Sequence, residues 1–510
     1  MAPFKLAVIG AGPSAFYVAS RLLSCVQQPM QIHMYDRLWA PHGLVRYGVA
    51  PDHPEIKMCL ALRNCIHKFD EAAADPRFRF FGNVNVGTLP TSPIPHNLHL
   101  PVQSLLSSYT HLLYATGCTL PTLHPALPPA PHCMPALDLV HWYTQHPFNP
   151  AAPPPDKLSH VTLIGNGNVS LDIARMVLAA PADLAKYDIP EALLAVLARS
   201  TVRHVSIVTR RGPLEAAFTV KELRELINLP GASMVPIDPV LLAPPAEVTL
   251  SRQQTRMLAL LRQGSVQAPG STPKSWSLDF FRSPTGLAPV PPSSPPTSAS
   301  TSTSTPTSTP TPNHLTLALA HTALDPTTHR AGSTGETSLL PTSLVIPSLG
   351  FHADPTSAFS DPALGYLRTL AGRIVRPAGT TLRNTYASGW AAMGARGVIA
   401  STMMDAYSVA DTILGDVAGG AGGAASATTP TITGTTALED EGAEAWQLSQ
   451  APPDGPPSEI TEGLARGAVM TYADWKAVDT EEVARGARLG KERERMGWEA
   501  AIKFLAGRRG

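Results

Sequence analysis

A chain of 510 residues, 44% of them hydrophobic, carries enough apolar surface for at least two cores, because single cores stop growing at about 250–300 residues. Its 39 basic and 39 acidic residues cancel, so no overall field draws a polyanion, a nucleic-acid partner has no support, and any charged partner must be met by a local patch. The five cysteines (Cys25, Cys59, Cys65, Cys118 and Cys133) form no Cys-x-x-Cys and are odd in number, which speaks against a redox dithiol, a zinc knuckle and a secreted disulfide framework. No apolar run approaches the roughly 20 residues that cross a bilayer. The first strand is expected to begin at Phe4, which leaves no room ahead of it for a signal peptide or an Arg-rich presequence. A soluble protein in a reducing compartment is the expectation.

The chain opens as strand, turn and helix. Leu6 to Ile9 is a short apolar strand, Gly10-x-Gly12-x-x-Ala15 follows, and Phe16, Val18, Ala19, Leu22 and Leu23 recur at helical spacing. Gly10 makes the tight turn, Gly12 lets the backbone approach a pyrophosphate, and Ala15 allows close packing, with the helix N-terminus facing the anion. A second strand, Gln31 to Tyr35, ends in Asp36. A carboxylate there accepts hydrogen bonds from adenosine ribose hydroxyls and repels a 2′-phosphate, so this site suits FAD or NAD.

Residues 1 to about 120 read as one α/β block, followed by a Pro-rich passage from Pro121 to Pro155 that is broken by the apolar stretch Leu137 to Tyr143. A second turn comes next: strand Val161 to Ile164, then Gly165-Asn166-Gly167-Asn168-Val169-Ser170, with Ser170 standing where Gly or Ala is usual. Residues 180 to 200 read as a helical insertion, after which a strand ends in Arg210-Arg211, a guanidinium pair suited to the 2′-phosphate of NADP. Two dinucleotide turns in one chain suggest that electrons pass between two bound cofactors. Ser251 to Gln263 is helical in pattern, with Arg252 and Arg256 on one face and Arg262 further along. The Ser/Thr/Pro repetition at 289–312 is expected to be a disordered insertion, and 415–457 a low-complexity linker. Between them a helix is expected to open at Gly397, and Met470 to Ala501 regains helical character as a segment that docks on the body.

Several longer stretches go beyond generic patterns. Leu44 to Lys57, Gly165 to Arg175, Arg210 to Leu226, Phe280 to Pro284, Ala387 to Ala406 and Tyr472 to Gly486 together resemble the adrenodoxin reductase family, the mitochondrial-type NADPH:ferredoxin reductases. The resemblance spans nearly the whole chain outside the two low-complexity tracts. It implies two Rossmann-like domains, the NADP domain inserted in the FAD domain: FAD-binding residues 1–120 and 346–414, NADP-binding residues 121–345, and a C-terminal segment at 458–510. It implies hydride transfer from NADPH to FAD and single-electron transfer to an adrenodoxin-type ferredoxin with a 2Fe–2S cluster, feeding P450 or iron–sulfur and haem pathways.

Residue by residue, the resemblance places Gly10, Gly12, Ser14 and Asp36 at the FAD adenosine and pyrophosphate, with Leu44 and Val86 at the flavin nucleotide. Asn166, Gly167, Asn168 and Val169 hold the NADP pyrophosphate, Arg210 and Arg211 its 2′-phosphate, and Glu222 its adenosine end. Trp390, Gly397, Val398 and Ile399 meet flavin and nicotinamide, and His53 and Asp172 are the polar pair near the flavin, the candidate catalytic groups. Arg252, Arg256 and Arg262 are the candidate docking residues for an acidic ferredoxin, and no metal ligand set is expected. The family usually carries Lys-Arg-Gly-Pro-Thr-Gly after the Trp, whereas this chain has Ala392-Met393-Gly394-Ala395-Arg396-Gly397: two positive charges are lost and one returns three residues later. By resemblance the protein is a monomer of the mitochondrial matrix, with peripheral association with the inner membrane left open. Two other readings stay open: a flavin monooxygenase, and a cofactor-binding scaffold without turnover. A glutamate synthase subunit would need cluster-ligating cysteines that five scattered ones do not supply.

Overall fold

The computed structural model describes residues 4–26, 28–54, 65–90, 92–148, 150–244, 249–289, 315–397, 399–419 and 446–509. The expected insertion beyond Pro289, residues 420–445 of the expected linker, Cys59 and Val398 lie outside the described residues. The chain divides into two compact units, one of Met1–Leu120, Thr144–Asn149 and Phe351–Gly510, the other of Pro121–Tyr143 and Pro150–Gly350. Each is α/β with a parallel sheet at its centre.

In the first unit, strands Phe4–Ile9, Met30–Asp36, Phe78–Gly82, His111–Tyr114 and Thr381–Ala387 run parallel, with Phe4–Ile9 between Met30–Asp36 and His111–Tyr114. Two short antiparallel strands, Thr369–Leu370 and Arg373–Val375, extend the edge beyond Thr381–Ala387. The central strand is covered on both faces, which is why its sequence is an apolar run without alternation. Its one charge, Lys5, is buried; the ammonium donates to the carbonyls of Pro453 and Gly455 and lies over the Tyr109 ring. Helices Pro13–Cys25 and Ile399–Gly419 cover one face, where Phe16, Leu22, Val409 and Ile413 pack with Phe69 and Phe80. Tyr35, Phe81, Leu105, Tyr109, Leu112 and Leu382 fill the other face.

Nothing in the Pro-rich passage signals that Thr144–Asn149 returns to this unit. It does so because the Thr144 hydroxyl donates to the Tyr47 carbonyl (3.1 Å) and the His146 ring meets the Tyr47 ring edge-on at 5.1 Å. The C-terminal part adds helices Ser458–Ala465, Tyr472–Arg488 and Trp498–Arg509. Tyr472–Arg488 begins with a capping box: Thr471 Oγ1 accepts from the Asp474 amide (3.2 Å), and Asp474 Oδ2 accepts from the Thr471 amide (3.0 Å). Met470, Trp475, Val478 and Met496 bury this part against Trp39 and Tyr47.

The second unit is built on a five-stranded sheet in the order Ala232–Met234, Lys274–Asp279, His204–Val208, His160–Ile164, Leu344–Pro347, every pair parallel. Leu163, Ile207 and Trp276 on one face pack against Leu171 of helix Asn168–Leu178 and Leu223 and Leu226 of helix Val220–Ile227. On the other face Ile164, Val208 and Val345 meet Leu317 and Leu319 of a three-stranded antiparallel sheet, Arg282–Pro289, Leu315–Leu324 and Ala331–Thr342.

Two helical glycines predict opposite responses to alanine. A β-carbon on Gly486 would lie 2.3 Å from the Arg493 Cα, whereas one on Gly415 meets no atom within 4 Å. Gly415→Ala should therefore gain the ordinary helix benefit, about 0.5–1 kcal/mol. Gly486→Ala should lose about 1–3 kcal/mol, because backbone must shift to admit the methyl. Thermal melting of the two variants checks this; a Gly486→Ala protein melting at or above the parent contradicts the close approach.

Candidate functional site

Each unit carries one strand-to-helix turn, and each turn is built around a glycine that admits no side chain. In the first unit Gly10 has φ +103°, its amide donates to the Tyr35 carbonyl (2.7 Å), and a β-carbon there would lie 2.4 Å from the Ala115 oxygen. Gly12 caps helix Pro13–Cys25 without a side-chain bond, and a β-carbon on it would meet nothing within 4 Å. The helix start thus has no side-chain cap and open space beside Gly12, the setting in which first-turn amides hold a phosphate. Ala15 is fully buried beneath it.

Asp36, at the end of strand Met30–Asp36, is buried and accepts from two amides, Ala11 N on Oδ2 (2.6 Å) and Leu38 N on Oδ1 (2.7 Å). Burial pushes its carboxyl pKa up, against the pull of these two donors and the Arg37 charge. The carboxylate therefore ties the glycine turn to the segment that follows, a role its spacing alone did not reveal. That segment crosses the turn: the His42 amide donates to the Ala11 carbonyl (2.8 Å), and Gly43 comes so near Gly12 that a β-carbon would lie 3.2 Å from its Cα. Burial holds the His42 imidazole down to about 4, so it is neutral at pH 7. Leu44 opens the short helix Leu44–Tyr47 and is exposed. Val86, on strand Val84–Gly87, is half-buried against the core that holds Phe81 and Leu100. His53 is buried, its amide donating to the Ala50 carbonyl (3.1 Å).

Ser14 connects this turn to a distant one. Its hydroxyl is 2.5 Å from that of Ser388, and Asp405 Oδ2 accepts from both the Ser388 hydroxyl (3.1 Å) and the Gly389 amide (2.6 Å). Gly389 has φ +66°, and a β-carbon would lie 2.7 Å from that of Ser14. Asp405, on helix Ile399–Gly419, thus clamps the turn before Trp390 onto the first helix. Asp405 lies within the Ala387 to Ala406 stretch, where no local sequence pattern marks it. Trp390 begins the one-turn helix Trp390–Met393, stacks on Phe351 (6.3 Å, 16°) and donates from Nε1 to the Arg396 carbonyl (3.0 Å). The departure from the family pattern is accommodated here: Ala392 is buried, and Gly394, with φ +74°, abuts the Tyr366 ring. The following helix starts at Ile399, because Gly397 has φ +80° and lies outside the helical range. The expected opening at Gly397 is corrected accordingly.

The second unit repeats the turn with other residues. Gly165 has φ +117°, donates to the Val208 carbonyl (2.8 Å), and has no room for a β-carbon, which would lie 2.3 Å from the Ser348 oxygen. Gly167 faces open space. Ser170 is buried and donates its hydroxyl to the Gly165 carbonyl (2.6 Å), which explains how a serine serves at the third position. Asn168 Oδ1 accepts from the Thr219 amide (2.8 Å), while the buried Asn166 Nδ2 has no partner among the described residues. Val169 packs at the edge of the core. Arg210 and Arg211 are exposed, and among the described residues neither guanidinium is paired with a carboxylate. Their backbone is fixed by bonds from the Thr322 hydroxyl to the Arg210 carbonyl (2.8 Å) and from the Phe281 amide to the Arg211 carbonyl (3.4 Å).

Asp172 and Glu222 are brought together by a residue the motif reading passed over. Arg175, buried, reaches Asp172 (2.9 Å), Glu222 (3.4 Å) and Glu225 (3.4 Å), linking helices Asn168–Leu178 and Val220–Ile227. Arg252 and Arg256 lie exposed on helix Arg252–Gln263, without carboxylate partners among the described residues, while Arg262 donates to the Leu242 carbonyl (2.7 Å).

No family model matches the chain. It is 33% identical over 514 residues to the mitochondrial NADPH:adrenodoxin oxidoreductase of Bos taurus, covering 96% of this chain and 90% of that one. The Homo sapiens protein of the same name is 34% identical over 509 residues. NADPH-ferredoxin reductase FprA of Mycobacterium tuberculosis is 30% identical over 508 residues, 97% of each chain. A solved structure of Mycobacterium tuberculosis FprA in complex with NADPH is similar with TM-score 0.75 at 29% identity, over 98% of this chain and 99% of that one. With such identity sustained along nearly the whole length of both partners, the chain belongs to the adrenodoxin reductase family of NADPH:adrenodoxin and NADPH-ferredoxin oxidoreductases.

Proposed function

We propose that this protein is an NADPH-dependent FAD flavoprotein that passes electrons from NADPH to an adrenodoxin-type ferredoxin with a 2Fe–2S cluster. The observation that carries the reading is the contrast between two like turns. One strand ends in a buried carboxylate, Asp36, and the other in two exposed guanidiniums, Arg210 and Arg211, that pair with no carboxylate among the described residues. The first disfavours a 2′-phosphate and the second favours it. In this reading the two units are Rossmann-like FAD and NADP domains.

The residues present fit both cofactors. Open space in front of Gly12 and Gly167 leaves room for a pyrophosphate at each helix start, and Asn166 Nδ2, without a partner among the described residues, supplies a spare donor at the second. Bound FAD would take hydride from NADPH and deliver its two electrons singly to the ferredoxin. The chain's own part is positional. Gly10, Gly12 and Ser14 offer the helix start, Asp36 and the segment through Leu44 shape the nucleotide side, and Val86 borders it. Trp390, Gly397 and Ile399 would face the flavin, the Asp405 clamp holding the Trp390 turn in place. Asn166 to Val169 take the NADP pyrophosphate. Glu222 lines the adenosine end, oriented by Arg175, which also neutralises Asp172. His53 is the remaining polar group assigned to the flavin's surroundings.

The named relatives include mitochondrial and mycobacterial proteins, so family membership does not by itself set the compartment. No helix of the described residues is long and apolar enough to cross a membrane.

Three outcomes test the proposal. The purified protein should show a visible flavin band that NADPH bleaches, and its cytochrome c reduction should depend on added 2Fe–2S ferredoxin. Oxygen consumption that tracks an organic substrate instead would mark a monooxygenase. Replacing Arg210 and Arg211 together by alanine should raise the KM for NADPH about tenfold to hundredfold, since charge-assisted bonds contribute about 1.5–3 kcal/mol. The NADH kinetics and flavin content should stay at parental values, and an unchanged preference for NADPH over NADH would remove the 2′-phosphate assignment. Arg252→Glu with Arg256→Glu should raise the KM for ferredoxin while ferricyanide reduction is unaltered; ferredoxin kinetics equal to the parent's at low salt would exclude this helix as the docking face.

A further inference from the structure

The segment that crosses the first glycine turn cannot hold its own shape. Helix Leu44–Tyr47 is one turn long, and its N-cap, Gly43, makes no side-chain cap. A helix so far below the length at which helices persist alone must be held from outside. It is also entered through two residues of positive φ, His42 at +80° and Gly43 at +43°. A left-handed non-glycine residue is strained and persists only where its surroundings over-determine it.

The surroundings here come from the far end of the chain. Arg46 donates two bonds to Glu482, Nη1 to Oε2 (3.0 Å) and Nη2 to Oε1 (2.7 Å), with 6% and 0% of the two side chains exposed. The guanidinium lies over the rings of Trp39 (5.6 Å) and Trp475 (4.7 Å). The Arg46 carbonyl accepts from Arg495 Nη1 (2.8 Å), which also donates to the Thr144 carbonyl (2.7 Å). Glu482 has no freedom to move away, because Oε1 also accepts from the Met496 amide (2.8 Å) and Oε2 from Arg493 Nη1 (3.3 Å). Both the side chain and the main chain of residue 46 are therefore gripped by helix Tyr472–Arg488 and the residues just after it.

We propose that the C-terminal helices act as a clasp on the first dinucleotide site, with Glu482 and Arg46 as positioning residues that keep the His42–Tyr47 segment across the glycine turn and so retain the flavin nucleotide. The inference rests on the reading that this turn takes FAD. Neither residue touches the cofactor; they act through the segment that borders it. Releasing the pair lets His42 relax from its strained conformation and opens the turn.

The test is the rate at which flavin leaves. In Glu482→Gln, which keeps the shape and removes the charge, flavin release on dilution, followed by the recovery of free-flavin fluorescence, should be at least tenfold faster than in the parent. Affinity for 2′,5′-ADP, a probe of the second unit, should be unchanged, and excess FAD should restore turnover. Parental release in Glu482→Gln overturns the clasp, and so does an equal loss of 2′,5′-ADP affinity, which would mark a general loss of fold. If that variant fails to fold, Arg46→Lys keeps the charge but gives up the two-pronged bond, and should release flavin about threefold faster or more; parental release there overturns the clasp as well. A parent protein that takes up no flavin overturns the FAD reading itself, a result distinct from flavin bound equally tightly by parent and variant.

Discussion

The structure depends on a steric constraint met twice: a strand must turn into a helix so tightly that the residue at the bend has no room for a β-carbon. At Gly10 the obstacle is the carbonyl of Ala115, and at Gly165 that of Ser348. In both cases the carbonyl lies just past the end of a neighbouring parallel strand, so the bend is shaped by sheet packing as much as by local conformation. Since an alanine methyl would collide with backbone, no side-chain rearrangement relieves it. With the bend set, the next glycine falls at the helix start, uncapped by any side chain and with open space beside it.

What distinguishes the two sites is charge, and the protein treats the two charges differently. Asp36 is buried and engaged by two amides, so it organises the turn as well as bordering it. Arg210 and Arg211 are left exposed, their backbone held and their guanidiniums without carboxylate partners among the described residues, which is the state in which a guanidinium can take up an anion. A buried carboxylate carries a desolvation cost that its two donors offset only in part, whereas an exposed guanidinium gains most of its interaction when a ligand arrives.

A second layer of contacts connects parts of the chain far apart in sequence. Ser14 and Ser388 are 374 positions apart, and Arg46 and Glu482 are 436 apart. At Arg46 burial works against the charge, but Glu482 outweighs it and keeps the guanidinium protonated well above its ordinary range. Removing one partner of such a pair would leave an uncompensated buried charge, typically costing about 3–5 kcal/mol. These long-range ties turn a generic nucleotide-binding turn into a bordered site.

The sequence by itself determined the two turns, the sign of the charge at each strand end and the family, because strand, glycine and helix lie within about 15 contiguous residues and obey local sterics. It did not determine which residues hold those turns. Asp405, Arg175 and Glu482 are acids and bases of ordinary appearance on amphipathic helices, and only folding brings each to its partner. The return of Thr144 to the first unit, the helix start at Ile399 in place of Gly397 and the pairing of Asp172 with Arg175 were likewise decided by tertiary structure. Local conformational preference is written in neighbouring residues, whereas a buried polar group takes whichever partner the packing of distant elements brings within bonding distance.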